Sequence, residues 1–88
     1  MRYRQNPQAP ASVIAGEAAV VTPGDSRLHL LDPVATRVWE LCSGEGATSI
    51  ELLDSLLQEY DGPPDEMAAD ISELLSQLCS LGVVEVVE

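Results

Sequence analysis

Three stretches of the chain repeat apolar residues at helical spacing, and their boundaries carry residues that favour helix ends. The first helix is predicted over residues 33–43, with Asp32 as its N-cap. The second helix opens at Thr48, because Thr48 and Glu51 have the spacing of a capping box. The third helix is predicted over residues 64–81. The apolar stripe of the second helix is predicted as Ile50, Leu53, Leu56, Leu57 and Tyr60.

The segments before the first helix and after the third have the composition of short strands. Residues 12–22 predict one or two strands, with Gly16 marking a turn between them, and residues 27–31 predict the next strand. The Pro-Gly-Asp-Ser sequence at 23–26 favours a hairpin loop between two of these strands. Residues 83–87 predict a last short strand or an ordered tail.

The order of these elements predicts one α+β domain. Residues 1–10 carry two prolines among polar residues, so we expect a flexible N-terminal tail, which leaves residues 11–88 as the folded domain. A three-stranded antiparallel sheet followed by three helices is a winged helix-turn-helix-like arrangement. An apolar content of 45% suits a folded chain of 88 residues.

The distribution of charge restricts the partners. The net charge is −11, all four basic residues are arginines within the first 37 residues, and twelve acids follow with no base among them. Nucleic acids and anionic membranes bind through basic residues, so both are disfavoured, whereas a neutral or cationic partner is not. No apolar run approaches the length of a membrane span, and no secretory signal is visible, so the default location is the cytoplasm.

Few residues suit catalysis or metal binding. The chain has one histidine, His29, and two cysteines, Cys42 and Cys79, which lie in apolar helical patterns. This set predicts no catalytic residue, no metal site and no cofactor. Asp54-Ser55-Leu56 matches the tripeptide around the modified serine of acyl carrier proteins, but Ser55 falls in the middle of a predicted helix. That position argues against an acyl-carrier-like protein, which is kept as an alternative. A winged-helix transcriptional regulator is the other alternative, because the predicted order of elements suits it.

A set of short motifs occurs in a fixed order along residues 12–86. They are Leu31-Asp32-Pro33-x-Ala35-x-x-Val38-Trp39-x-Leu41, then Gly44 or Gly46, Thr48-x-x-Glu51-Leu52, Tyr60, Asp70-Ile71-x-x-Leu74-Leu75-x-x-Leu78 and Leu81-Gly82-Val83-Val84. The set closely resembles the PqqD family, whose pattern is Leu-Asn-x-x-Ala-x-x-Ile-Trp-x-Leu, a glycine, Thr-x-x-Glu-Leu, a tyrosine and a closing Leu-x-x-x-Gly-Leu-Val. Asp32 replaces the usual asparagine, and both residues are good N-caps.

This resemblance implies a fold of three antiparallel strands on three helices and a function in peptide recognition. Such domains are non-catalytic and bind the leader region of a ribosomally synthesised precursor peptide. The leader adds as a strand to the edge of the third strand and lies against the third helix. It is thereby presented to a radical-SAM maturase, a cyclase or a leader peptidase.

Carried over by position, the resemblance assigns the peptide-binding residues. The edge strand would comprise Leu28, His29, Leu30 and Leu31. The wall on the third helix would comprise Asp70, Glu73, Leu74 and Gln77. An open strand edge favours addition of a further strand on physical grounds as well, and a second copy of the chain could also pair there as a homodimer. Because the third helix is acidic, we expect a leader that carries Lys or Arg, or one held by backbone bonds and apolar anchors.

Overall fold

Helices and short antiparallel strands make up the computed structural model, which describes residues 1–87. In chain order the elements are β1 (Arg2–Gln5), β2 (Ala11–Ile14), β3 (Glu17–Val21), β4 (Leu28–Leu30), α1 (Pro33–Leu41), β5 (Ala47–Thr48), α2 (Ser49–Glu59), α3 (Pro64–Leu81) and β6 (Val84–Val87). The strands form two three-stranded sheets, ordered β2-β3-β4 and β5-β1-β6. The predicted α+β architecture, with a three-stranded antiparallel sheet and three helices, is confirmed.

Strands β2, β3 and β4 form the predicted meander. Ile14 pairs with Glu17 across a two-residue turn, in which Ala15 and Gly16 both have positive φ, at 53° and 81°. This is the backbone of a type I′ turn, whose twist matches that of antiparallel strands. The predicted turn at Gly16 is therefore confirmed, and residues 12–22 divide into two strands.

The prediction of a flexible tail over residues 1–10 is wrong for Arg2–Gln5, which form β1 between β5 and β6. The Gln5 N–H donates to the Cys42 carbonyl at 3.0 Å, and Arg4 Nε donates to Glu85 Oε1 at 2.7 Å. The partners of β1 lie more than 40 residues away in the chain. Local sequence therefore gave no sign of this strand.

The ends of the three helices follow the capping residues. The Asp32 carboxylate accepts from the Ala35 N–H at 2.7 Å at the start of α1, and both bonds of the Thr48–Glu51 capping box are present at the start of α2. Helix α3 ends at Gly82, which has φ 79°. Helix α1 ends at Leu41, two residues before the predicted end at 43.

The hydrophobic core contains residues from all three helices and from strands β3, β5 and β6. Its largest fully buried side chains are Leu52, Leu56, Leu78, Val20, Val38, Val83, Val84, Thr36 and Cys42. Ile50 was predicted in the stripe of α2 but is 78% exposed, because the buried face of α2 is the one that carries Leu52 and Leu56. Trp39 is partly buried against this core.

The buried hydroxyl of Thr36 joins helix α1 to the end of the meander. The Leu31 N–H donates to the Ala18 carbonyl at 2.8 Å, but the reciprocal bond is replaced by two bonds through Thr36. The Ala18 N–H donates to Thr36 Oγ1 at 2.8 Å, and the Thr36 hydroxyl donates to the Leu31 carbonyl at 3.3 Å. Strands β3 and β4 are thereby fixed to α1 at one point.

We expect Thr36→Val to destabilise the domain by about 1–3 kcal/mol, because the buried Ala18 N–H loses its acceptor while the side-chain volume is kept. Thr36→Ser retains the hydroxyl and serves as the control. Urea unfolding followed by Trp39 fluorescence measures both variants. A Thr36→Val protein as stable as the wild type would show that this bridge contributes nothing.

A second prediction concerns Gly46, which has φ 88° and lies against β1. A Cβ atom there would lie 2.2 Å from the Tyr3 carbonyl oxygen, whereas a Cβ at Gly44, with φ 66°, would meet nothing within 4 Å. Both Ala variants bear the cost of positive φ, so their difference isolates the clash with β1. We expect Gly46→Ala to cost at least about 2 kcal/mol more than Gly44→Ala in urea unfolding. Equal stabilities would contradict the assignment of β1 to the folded domain.

Candidate functional site

Strand β4 is an edge of its sheet, because it pairs with β3 on one side and with no other described strand. Two backbone hydrogen bonds define which residues of β4 direct their backbone N–H and C=O groups toward β3. The Thr22 N–H donates to the Arg27 carbonyl at 2.9 Å, and the Leu31 N–H donates to the Ala18 carbonyl at 2.8 Å. In an antiparallel pair, residues that exchange such bonds alternate with residues that do not.

By this alternation, Leu28 and Leu30 direct their backbone N–H and C=O groups away from β3 toward the open edge. His29, opposite Val20, directs its own backbone groups toward β3. The open edge therefore offers two donors and two acceptors, spaced two residues apart. This is the pattern that an added strand would need in order to pair with β4.

The side chains of β4 separate onto two faces. Leu28 and Leu30 lie on the outer face and are 65% and 73% exposed. His29 lies on the inner face beside the fully buried Val20 and is half-buried. Leu31, predicted as part of the edge, is 6% exposed and gives its N–H to Ala18, so it belongs to the core. It follows the last residue of β4 and begins the junction with α1.

The four residues predicted on α3 lie together along one groove. Spacings of three and four residues bring them onto one face of the helix. The residues that line this acidic groove are Asp70, Glu73, Leu74 and Gln77 from α3, with Asp32 and Val34 from the start of α1. Sequence reasoning identified Asp32 only as an N-cap and missed Val34. The residues of β4 do not line the groove, which Asp32 joins to the strand through Leu31.

An apolar cavity continues from the acidic groove and shares Val34, Asp70 and Leu74 with it. Its remaining lining residues are Leu56, Tyr60, Met67 and Ile71. Tyr60 and Val34 are 38% and 42% exposed, so the cavity opens to solvent. Tyr60 was predicted as a member of the apolar stripe of α2, and only the packing of α2 against α3 shows that it borders an opening together with Met67.

The charges beside the groove are of one sign. Asp32, Asp70 and Glu73 line it, and no basic side chain does so among residues 1–87. The base on α1, Arg37, donates from Nε to Glu59 Oε1 at 2.8 Å, and this hydrogen bond raises the pKa of Arg37 and lowers that of Glu59. Arg37 is thus engaged with α2. The groove favours a cationic ligand.

The cysteine thiols are poorly suited to nucleophilic chemistry. Burial raises the pKa of Cys42 to about 11, and it also raises the pKa of Cys79. A thiol with a raised pKa stays protonated near neutral pH, and the protonated form is the weak nucleophile. Ser55, the residue of the carrier-protein alternative, lies half-buried within α2.

Two kinds of feature are absent from the described residues. Within residues 1–87, no three His, Cys, Asp or Glu side chains are grouped so that they could hold a metal ion. None of the three helices has both the length and the apolar character needed to cross a membrane, again within residues 1–87.

Comparisons with known proteins give one family and one fold. The model of the family described as "Coenzyme PQQ synthesis protein D (PqqD)" matches residues 17–84. Among solved structures, the chain is similar to "TbiB1 in Complex with the TbiA(beta) Leader Peptide", with a TM-score of 0.84, 21% identity, and coverage of 97% of this chain and 98% of that chain. At this identity the likeness establishes the fold alone. No curated protein gives a significant match.

The open edge predicts a pattern of amide hydrogen exchange in the free protein. The amides of Leu28 and Leu30 face solvent, whereas those of His29 and Leu31 face β3. We expect the first pair to exchange at least about tenfold faster than the second, measured by NMR at a pH where the fold is intact. Equal protection of all four amides would contradict the assigned register.

Proposed function

Because this chain belongs to the PqqD family, we propose that it is a non-catalytic adaptor that binds the leader region of a ribosomally synthesised precursor peptide. The observation that carries the proposal is the open edge of β4, joined through one short junction to the acidic groove of α3. The family match over residues 17–84 supports it. So does the fold shared with TbiB1, whose structure is described as a complex with a leader peptide.

In this proposal the leader adds as a further strand to β4. The backbone groups of Leu28 and Leu30 would bind any extended peptide, because main-chain hydrogen bonds do not depend on sequence. Selection would come from the side chains that border the added strand. The proposed peptide-binding residues are Leu28, His29 and Leu30 of β4, Asp32 and Val34 of the junction, and Asp70, Glu73, Leu74 and Gln77 of α3.

The charges support a leader that carries Lys or Arg. Three carboxylates line the groove, and the net charge of −11 attracts a cationic peptide from a distance at low ionic strength. The apolar cavity beside Val34 and Leu74 would hold an apolar anchor of the same peptide. A basic leader with one large apolar residue suits both surfaces.

In this proposal the adaptor presents the bound leader to a partner enzyme: a radical-SAM maturase, a cyclase or a leader peptidase. The raised pKa of Cys42 is in keeping with a role that is not catalytic. A second copy of the chain pairing at the β4 edge would form a homodimer, and this dimer would compete with the leader.

The winged-helix architecture leaves a transcriptional regulator as the other class of function. Binding to DNA requires basic residues that neutralise phosphates, and the sequence after Arg37 has none. The acidic groove would repel a phosphate backbone. The charge therefore supports peptide binding over DNA binding.

Charge reversal in the groove tests the proposal. We expect Asp70→Lys combined with Glu73→Lys to weaken binding of a basic leader by at least about tenfold, or about 1.4 kcal/mol. The ligand is the leader region of a precursor peptide whose gene is sought beside the gene of this chain, and affinity is measured by calorimetry.

The matched control is Glu45→Lys combined with Asp54→Lys. Both residues are exposed and lie outside the groove, so the control changes the net charge equally. We expect its affinity to remain within about twofold of wild type. Equal losses in the two double variants would show that net charge alone acts, and unchanged affinity in the groove variant would contradict the proposed site.

A further inference from the structure

An exposed apolar strip lies on the outer face of the meander, directly beside the open edge. Leu28 is paired with Val21, and Leu30 is paired with Ala19, so these four side chains share one face. We call them the outer strip. Both leucines are more than 60% exposed, whereas Val21 and Ala19 are half-buried. The outer strip has no charged member, in a chain in which 22% of residues are charged.

The inner side of the same edge has the opposite chemistry. Helix α1 packs on the inner face of the meander, where Thr36 bonds to Ala18. Asp32, at the start of α1, lies two residues after Leu30 and lines the acidic groove together with Asp70 and Glu73 of α3, so the groove carboxylates meet the meander at the Leu30 end of β4. An edge with apolar side chains on its outer face and groove carboxylates beside the helix at its Leu30 end can distinguish the two faces of an added strand.

We propose that the ligand of this edge is an extended peptide in which apolar and basic residues alternate, and this inference rests on the proposed function. Successive side chains of any strand point to opposite faces, so a peptide paired with Leu28 and Leu30 presents alternate residues outward and inward. Outward residues would lie within about 4.5–5.5 Å of the outer strip, as cross-strand neighbours do. Inward residues near the Leu30 end of β4 would approach the acidic groove, which begins at Asp32.

Charge favours a cationic peptide over a second copy of the chain as the occupant of this edge. Pairing two copies through β4 would bring two sets of groove carboxylates toward one another, and the base that precedes β4, Arg27, already forms an ion pair with Asp25 at 3.8 Å. Like charges in facing positions disfavour such a pair. A peptide with basic inward residues removes this repulsion and keeps the apolar contact with Leu28 and Leu30.

Two synthetic peptides of equal composition test the proposal. The first is Val-Lys-Val-Lys-Val-Lys-Val and the second is Lys-Lys-Val-Val-Val-Val-Lys, both with blocked ends and a fluorescent label. Binding to the full chain is measured by anisotropy at low salt. We expect the alternating peptide to bind at least about tenfold more tightly than the block peptide.

Variants of the outer strip identify the contact. Leu28→Ser combined with Leu30→Ser keeps the backbone edge and removes the apolar side chains. We therefore expect this double variant to bind the alternating peptide about tenfold more weakly than the wild type does. Ile14→Ser is the matched control, because Ile14 is 67% exposed on the same face of the sheet but lies on the far strand β2. We expect this control to bind as wild type. Amide NMR spectra verify that both variants are folded.

The outcomes separate this inference from the function on which it rests. Equal binding of the two peptides, or an unchanged affinity in the Leu28/Leu30 variant, would overturn the alternating ligand. If the charge reversal at Asp70 and Glu73 still weakens binding of the precursor leader when the alternating ligand has been overturned, the adaptor function stands. If neither synthetic peptide binds, the inference is overturned, and the precursor leader then tests the adaptor function separately.

Discussion

The Thr36 hydroxyl takes the place of one backbone hydrogen bond between β3 and β4, and the arrangement of the proposed site depends on it. It accepts from Ala18 and donates to Leu31, and it is carried by α1 at a position that is 2% exposed. A buried polar group of this kind must keep its partners or incur a desolvation cost. The strand that carries the open edge is therefore held in one register relative to α1.

The junction between β4 and α1 places two kinds of recognition side by side. Leu31 is buried and Asp32 caps the helix, so no flexible residue separates the open edge from the first turn of α1. That turn forms one wall of the acidic groove, and α3 forms the other. Backbone pairing and charge selection are thereby fixed with respect to each other, which reduces the ordering cost of binding an extended peptide.

Local features were predictable from sequence, and contacts between distant segments were not. Asp32, Thr48 and Gly82 carry capping information within a few residues, so both ends of α1 and α3 and the start of α2 were predicted to within two residues. The single face shared by Asp70, Glu73, Leu74 and Gln77 follows from helical spacing alone. Strand β1 and the bridge through Thr36 depend on partners far along the chain. A single polar residue on an apolar helix face gives no sign that it bonds to a strand.

The most direct test of the account is an NMR measurement of contacts between the bound leader peptide and the two open edges of the meander, β4 and β2. Nuclear Overhauser effects are recorded between α-protons of an unlabelled leader and amides of the isotope-labelled protein. The account predicts interstrand contacts to the amides of Leu28 and Leu30, with none to β2 at Ala11–Ile14. Contacts to β2, or contacts to α3 without any to Leu28 and Leu30, would contradict the addition of the leader as a strand to β4.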